Sequence, residues 1–394
     1  MSDVDRLLRW FADGTLVRPT PEVPGTVHLA RALASLAGAP GIALDDHGQR
    51  VANAIGSADH LVFVLVDGLG MNLIETLPAD SFLRTHVVME LQSVHPSGTP
   101  AALTSLATGC WPAEHGVIGW FTYLADAGVT ATILPFIERF GKQPLEEFGV
   151  TSERVFSKPS LTPRFAHEPA AFMPRFIAGS TYSRYVTGDV EPHPYDTPAL
   201  AALDVLRRIE SAARPTYSYL YVPFVDQSEH AHGVHAAPVR TALLDIERTL
   251  ARLADRLPPG ARIVISADHG QVDVPDEAMH YLDDADPLLD LLVVPPSGDP
   301  RIPMFHVRAG RRAAFEGVFR ERYGESFALL TAEEADDLRL FGPGELSDTS
   351  RARIGDYVAI ASGAGVLRYR PDSPMRGFHG GLLRDEVRIP LIVA

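Results

Sequence analysis

Apolar runs in this 394-residue chain end repeatedly on an aspartate: LVFVLV leads into Asp67-Gly68, SYLYVPFV into Asp226, and RIVISA into Asp268-His269-Gly270. Histidines accompany two of them, His230 four residues after Asp226 and His269 directly after Asp268, while His379 stands in GFHGG just ahead of the last apolar run. Singly, an aspartate after a strand is a turn former and a histidine is a surface or satisfied core residue. Three of each, placed this way, are what a two-metal hydrolase requires, because carboxylate and neutral imidazole together suit a borderline divalent ion. In open α/β sheets ligands gather outside the carboxyl ends of the strands, so side chains far apart in sequence would meet at one edge.

A nucleophile for such a centre is available in HPSGTPAALTSLATG. Gly98 frees the turn, Thr99 sits where an N-cap belongs, Pro100 falls at the first helical position, and AALTSLA continues as helix. A hydroxyl at a helix N-terminus faces the positive end of the dipole and free N–H groups, which favour an alkoxide and an incoming phosphate. A bound divalent ion would lower its pKa further, as it lowers that of water from about 15.7 to about 7. Two such ions, three aspartates and a Thr99 alkoxide sum to a neutral centre that an anionic phosphoryl group can enter.

The elements that must position these groups read as strands alternating with helices. Strand-length apolar runs occur at Leu61–Val66, His86–Leu91, Tyr217–Val225, Arg262–Ala267, Leu291–Val294 and Ile389–Val393, most of them too continuous to be half-exposed. Between them lies Ala236–Arg256, where Leu243, Ile246, Leu250 and Leu253 form one helical stripe. The expectation is an α/β fold with a mostly parallel central sheet and helices on both faces. Residues 1–57 read as an N-terminal extension and 58–394 as the catalytic domain. A Pro-, Phe- and Arg-rich stretch at about 123–215 reads as a cap insertion, and about 295–352 as a second insertion with a helix at Arg311–Tyr323.

Composition narrows the function. A net charge of −15 argues against a basic surface for duplex nucleic acid or anionic membrane. The single cysteine, Cys110, excludes an intramolecular disulfide and any Cys-ligated cluster, so metal ligands must be histidine and carboxylate. The first residues lack the basic and apolar regions of a secretory signal, and no window has the roughly 18 apolar residues of a membrane span, so the expected compartment is cytoplasmic.

Taken in order, VDG at Asp67, Thr99 to Gly109 with the continuation TGCWPAEHGVIG, D-x3-H at Asp226, ADHG at Asp268 and the late His-Gly at His379 resemble the alkaline phosphatase superfamily, nearest its nucleotide pyrophosphatase/phosphodiesterase branch. The resemblance implies an alkaline-phosphatase-like fold with a cap, and two zinc ions, with Mn²⁺ as the other candidate. It places one ion on Asp226, His230 and His379, the other on Asp67, Asp268, His269 and the Thr99 hydroxyl. It further implies attack by Thr99 on a small phosphate ester, through a phospho-threonine intermediate.

The chain departs from that branch after the nucleophile, where Pro100, Ala101 and Ala102 replace an aromatic and an asparagine, and at Trp120, which replaces a second asparagine. Trp120 and Tyr123 would line a replacement pocket, and Arg376 would reach a substrate anion. Cys110-Trp111-Pro112 resembles the start of a sulfatase motif, but Ala113 and Glu114 break it. His115 is expected to hold the loop after the nucleophile helix. Phosphonate or phosphomonoester hydrolysis on the same metals is the alternative chemistry, and a non-catalytic phosphate-binding module the alternative class.

Overall fold

The run ending at Asp67 forms the strand His60–Val66, buried on both faces from Leu61 onward. Such a strand needs a partner on each edge and a covering layer on each side. In the computed structural model, which describes residues 1–188, 190–370 and 374–394, its partners are Thr216–Val222 and Ala261–Ser266, both parallel to it. The whole sheet has seven strands in the order Val87–Gln92, Arg388–Val393, Ala261–Ser266, His60–Val66, Thr216–Val222, Glu168–Pro174 and His193–Tyr195. Among the described residues Arg388–Val393 is the one strand of this sheet that runs opposite to the others. One group of helices brings Ala237–Arg256, with its stripe Leu243, Ile246, Leu250 and Leu253 buried, against Pro198–Glu210 and Phe224–His232. Another packs Thr26–Leu36 against Asp46–Ile55 and Thr99–Thr108.

The stretch 123–215 does not lie over the sheet throughout. Its second half supplies two of the sheet's own strands, because Glu168–Phe172 pairs in parallel with Thr216–Leu220 and carries His193–Tyr195 on its outer edge. Its first half takes part in a second, antiparallel sheet, where Phe121–Leu124, Val129–Thr132 and Ile137–Glu138 meet Ser297–Asp299, Ile302–Phe305, Tyr357–Ala361 and Phe327–Thr331. The bridge between Phe121 and Gly298 therefore joins the two expected insertions into one layer. Residues 1–57 are packed in as well: Leu7 and Leu16 enter the core of the second sheet, and Leu29, Leu33 and Ile55 that of the first.

Two expected strands differ in detail. Leu291–Val294 is not a strand, since a short 3₁₀ turn at Leu289–Leu291 leads into a single bridge between Leu292 and Val307. Val87–Gln92 alternates between exposed and covered residues because it is an edge strand with one sheet neighbour. Among the described residues no helix is long and apolar enough to cross a membrane.

Arg301, in the turn between two strands of the second sheet, ties that sheet to the segment carrying His379. It and Glu386 are fully buried. The guanidinium donates to Glu386 Oε1 at 2.5 Å and Oε2 at 2.8 Å, and to the Gly363 and Gly365 carbonyls at 2.8 and 3.1 Å. Glu386 also accepts the Gly381 and Leu383 N–H groups at 2.9 and 3.0 Å. Removing one member of such a pair leaves the other charge buried and alone, so Glu386→Ala is expected to lower folding free energy by about 3–5 kcal/mol. Urea unfolding measures this, and the solvent-exposed Arg207–Asp204 pair is the comparison, where Arg207→Ala should cost about 1 kcal/mol or less.

Candidate active site

Three adjacent parallel strands deliver the three aspartates to one edge. Asp67 follows Val66 directly and donates its N–H to the Val222 carbonyl at 2.9 Å. Asp268 stands two residues beyond the end of Ala261–Ser266. Asp226 arrives differently from the expected strand end. The strand stops at Val222 because Pro223 has no N–H to give a ladder, and Phe224–His232 is a helix with Asp226 in its first turn. His230, four residues on, shares that helical face. Gly68, at φ +77°, must be glycine here: a Cβ would lie 2.6 Å from Glu229 Oε2 and 2.9 Å from Asp226 Cα.

Gly98, with φ −129° and ψ 150°, is the N-cap, and Thr99 is the first helical residue, so the helix begins one place earlier than expected. Thr99 Oγ1 stands 3.1 Å from His269 Nε2. The far end of this helix is anchored by His115, whose Nε2 meets Ser105 Oγ at 3.0 Å and whose Nδ1 accepts the Val117 N–H at 3.1 Å. Burial holds the His115 pKa down to about 3, so this loop-holding imidazole is neutral. Cys110 is half-buried and burial pushes its thiol up, away from a nucleophilic thiolate.

Asp226, His230 and His379 each offer a ligand atom within 4.8 Å of the others, and so do Asp67, Asp226 and His269. Asp226 belongs to both groups. His230 Nε2 is 3.3 Å and His379 Nε2 3.8 Å from Asp226 Oδ1. His269 Nε2 is 3.5 Å from Asp67 Oδ1 and 3.4 Å from Asp268 Oδ2, which brings Asp268 to the second group. Each ring faces a backbone carbonyl with its other nitrogen: Gly377 for His230 at 2.8 Å, Ser97 for His379 at 3.2 Å and Gly270 for His269 at 3.2 Å. A carbonyl only accepts, so each Nδ1 carries the proton and each Nε2 lone pair is turned to the cluster, as in metal-bound histidines.

The oxygens complete the fit to divalent cations. Asp67 Oδ1 and Asp268 Oδ2 are buried with no hydrogen-bond partner. Burial, then the charges of Asp268 and Asp226, push the Asp67 carboxyl well up, and burial raises Asp268 in the same direction. The second oxygen of Asp67 accepts the Tyr221 hydroxyl at 2.5 Å, and that of Asp268 accepts the Gly68 and His269 N–H groups at 3.2 and 3.0 Å. Gln271 donates from Nε2 to the carboxylate and, at 3.2 Å, to the backbone carbonyl of Asp226. Tyr221 and Gln271 escaped sequence reasoning, although each lies within five residues of a motif aspartate. Burial and Asp67 hold the Tyr221 hydroxyl well above its ordinary pKa, so it remains a donor.

A cavity of about 800 Å³ opens beside the cluster, lined by Asp67, Thr99, Asp226, His230 and His379 and walled by side chains of the second sheet. Trp120 lines it, as expected. Tyr123 and Arg376 do not. Two residues along the strand from Phe121, Tyr123 has moved past the cavity and packs edge-on to His306 at 4.8 Å. Arg376 is exposed and pairs with Asp276 at 3.2 Å. Phe121, Arg139, Arg368 and Asp299 are in the wall instead. The Arg139 guanidinium lies 3.7 Å from the Phe121 ring centroid and donates to the Pro296 carbonyl at 2.7 Å. Burial raises the Asp299 carboxyl to about 6, opposed by a bond from the Trp120 N–H and by His269.

Comparison with known proteins agrees with this architecture. The family model of type I phosphodiesterase / nucleotide pyrophosphatase matches residues 61–382. No curated protein matches the chain. Human ectonucleotide pyrophosphatase / phosphodiesterase 5 is 16% identical with a TM-score of 0.63, over 84% of this chain and 87% of that one. The murine protein gives 16% and 0.61 over the same shares, and has also been solved as an inactive form in complex with AMP. Phosphonoacetate hydrolase from Sinorhizobium meliloti 1021, in complex with phosphonoformate, is 20% identical with a TM-score of 0.58, over 84% of this chain and 89% of that one. At such identities the structural likeness is one of fold. The family match spans the chain from the first strand of the site past His379, and the chain belongs to the type I phosphodiesterase / nucleotide pyrophosphatase family of phosphoric ester hydrolases.

Proposed function

We propose that the chain cleaves phosphodiester or pyrophosphate bonds at a two-zinc centre, with Thr99 as nucleophile. The observation that carries this reading is the Thr99 hydroxyl, 3.1 Å from His269 Nε2 at a helix N-terminus, beside buried Asp67 and Asp268 oxygens that lack partners. Asp226, His230 and His379 would hold one ion. Asp67, Asp268, His269 and the Thr99 hydroxyl would hold the other, with Asp226 facing both. Imidazole with carboxylate favours Zn²⁺ and accommodates Mn²⁺. When bound, the ions supply positive charge at the phosphoryl group and lower the pKa of hydroxyl and water.

The protein's own groups do the rest. The first turn of the helix fixes Thr99 and turns free N–H groups toward the phosphoryl oxygens. Thr99 Oγ bonds to phosphorus as the bond to the leaving oxygen breaks. The hydroxyl proton passes to solvent, and the leaving oxygen takes one up. Water then adds across the phospho-threonine bond, which restores the hydroxyl and frees the product. Trp120 and Phe121 offer ring surface to an organic group on phosphorus. AMP, bound by the murine relative, is a fitting first probe.

Phosphonate hydrolysis on the same centre is the second reading. The likeness to phosphonoacetate hydrolase favours it, as do Arg139 and Arg368 in the cavity wall, cations that a carboxylate-bearing phosphonate would need. Product analysis over nucleotides, dinucleotides, lipid headgroup diesters and phosphonates separates the two.

Elemental analysis of the purified protein should find close to two metal equivalents, and chelation should abolish turnover of an aryl diester. Full activity in a metal-free sample would discard the metal mechanism. Thr99→Ala should lower turnover by about 10³-fold or more while both metals stay bound, since every Asp and His ligand remains. Asp268→Ala should lose metal and activity together. Tyr221→Phe removes the donor that holds one oxygen of Asp67, and should weaken zinc retention in a chelator competition by about 10- to 100-fold. An unchanged affinity would make Tyr221 a packing residue.

A further inference from the structure

Asp299 belongs to the short strand Ser297–Asp299 of the second sheet, yet it lines the cavity beside the site. Its Oδ1 accepts the Trp120 N–H at 2.9 Å, and its Oδ2 is buried with no hydrogen-bond partner. Glycines make room for this carboxyl. A Cβ on Gly98 would lie 3.0 Å from Asp299 Oδ2, and one on Gly380 would lie 3.1 Å from Asp299 Cβ. Gly98 precedes Thr99 and Gly380 follows His379, so the carboxyl is wedged beside both the proposed nucleophile and a proposed ligand.

We propose that Asp299 is a specificity-determining residue that disfavours a doubly charged phosphoryl group at Thr99. The inference rests on the reaction proposed for Thr99. A phosphodiester brings one negative charge to phosphorus, whereas a monoester dianion brings two. A fixed carboxylate in a water-poor wall repels the second more, because the interaction grows with the product of the charges and is little screened there. Nothing on the nucleophile segment offsets it: Pro100, Ala101 and Ala102, which follow Thr99, are all apolar and buried. The rings of Trp120 and Phe121 in the same wall suit the organic group that a diester carries in place of that charge.

The test compares kcat/KM for a matched aryl diester and aryl monoester at one pH, on metal-loaded wild type and on Asp299→Asn. Asparagine is isosteric and keeps an oxygen for the Trp120 N–H. The wild type should favour the diester, and the substitution should lower the diester-to-monoester ratio by about tenfold or more. Inorganic phosphate should bind the variant more tightly in a calorimetric titration, with metal content unchanged. An unchanged ratio and phosphate affinity would overturn the assignment, as would a proportional loss of both activities. Should Asp299→Asn fail to fold, Asp299→Ser is read in the same way. A wild type that turns over neither ester overturns the reaction proposed for Thr99, and this assignment with it.

Discussion

Like charges buried side by side govern the rest of this structure. Asp67, Asp268 and Glu229 are almost wholly removed from water, and Asp226 nearly so, at the meeting point of three strand ends. Burial and neighbouring charge raise the carboxyls of Asp67, Asp268 and Glu229, and such a cluster opposes folding unless protons or cations compensate. The protein satisfies one oxygen of Asp67 with Tyr221, one of Asp268 with backbone N–H groups, and Asp226 with Gln271. Of the oxygens left over, Asp67 Oδ1 and Asp268 Oδ2 are the ones that a metal would take, while both oxygens of Glu229 also lack a partner. Affinity for a cation is thus stored as unrelieved repulsion, and the chemistry proposed for Thr99 draws on the same charge balance.

The two sheets divide the work around that point. The parallel sheet brings the ligands together, because its strand ends lie level and its helices start there. The antiparallel sheet supplies much of the wall, with Phe121, Arg139 and Asp299, and it is fastened to the His379 segment through Arg301 and Glu386. The Asp/His cluster and much of the cavity wall are therefore built on separate layers, which are joined at the His379 segment.

The parts legible in the sequence are those where local pattern and chemistry coincide. Apolar runs ending on Asp67 and Asp268 announce both the strand and the buried cluster at its end, and the Thr99 segment carries its own helix start. Asp226 was legible as a site residue but not in its local structure, since a proline after an apolar run ends a strand while the hydrophobicity continues into the next helix. Asp299 left no signal, because its importance comes from Trp120 and Gly98, brought near by pairing between distant stretches. Tyr123 and Arg376 lie close in sequence to cavity residues but outside its wall, Tyr123 because a strand that rises about 3.3 Å per residue carries a side chain past the cavity within two positions, Arg376 because it turns outward to Asp276. Weak periodicity in the Pro-rich stretch 123–215 hides short strands whose neighbours lie elsewhere in the chain.

The position of Arg388–Val393 in the central sheet has a consequence for the order in which the molecule is made. This strand lies between Ala261–Ser266 and Val87–Gln92, and it is the sheet neighbour through which Val87–Gln92, just upstream of Thr99, is attached. During synthesis the strands that lead to Asp67, Asp226 and Asp268 can pair early and the Thr99 helix can pack on Thr26–Leu36, but Val87–Gln92 has no place in the sheet until a strand from far later in the chain slides in beside it. His379 emerges at nearly the same time. The sheet edge upstream of Thr99 and the His379 side of the cavity are therefore completed together by one late, long-range step.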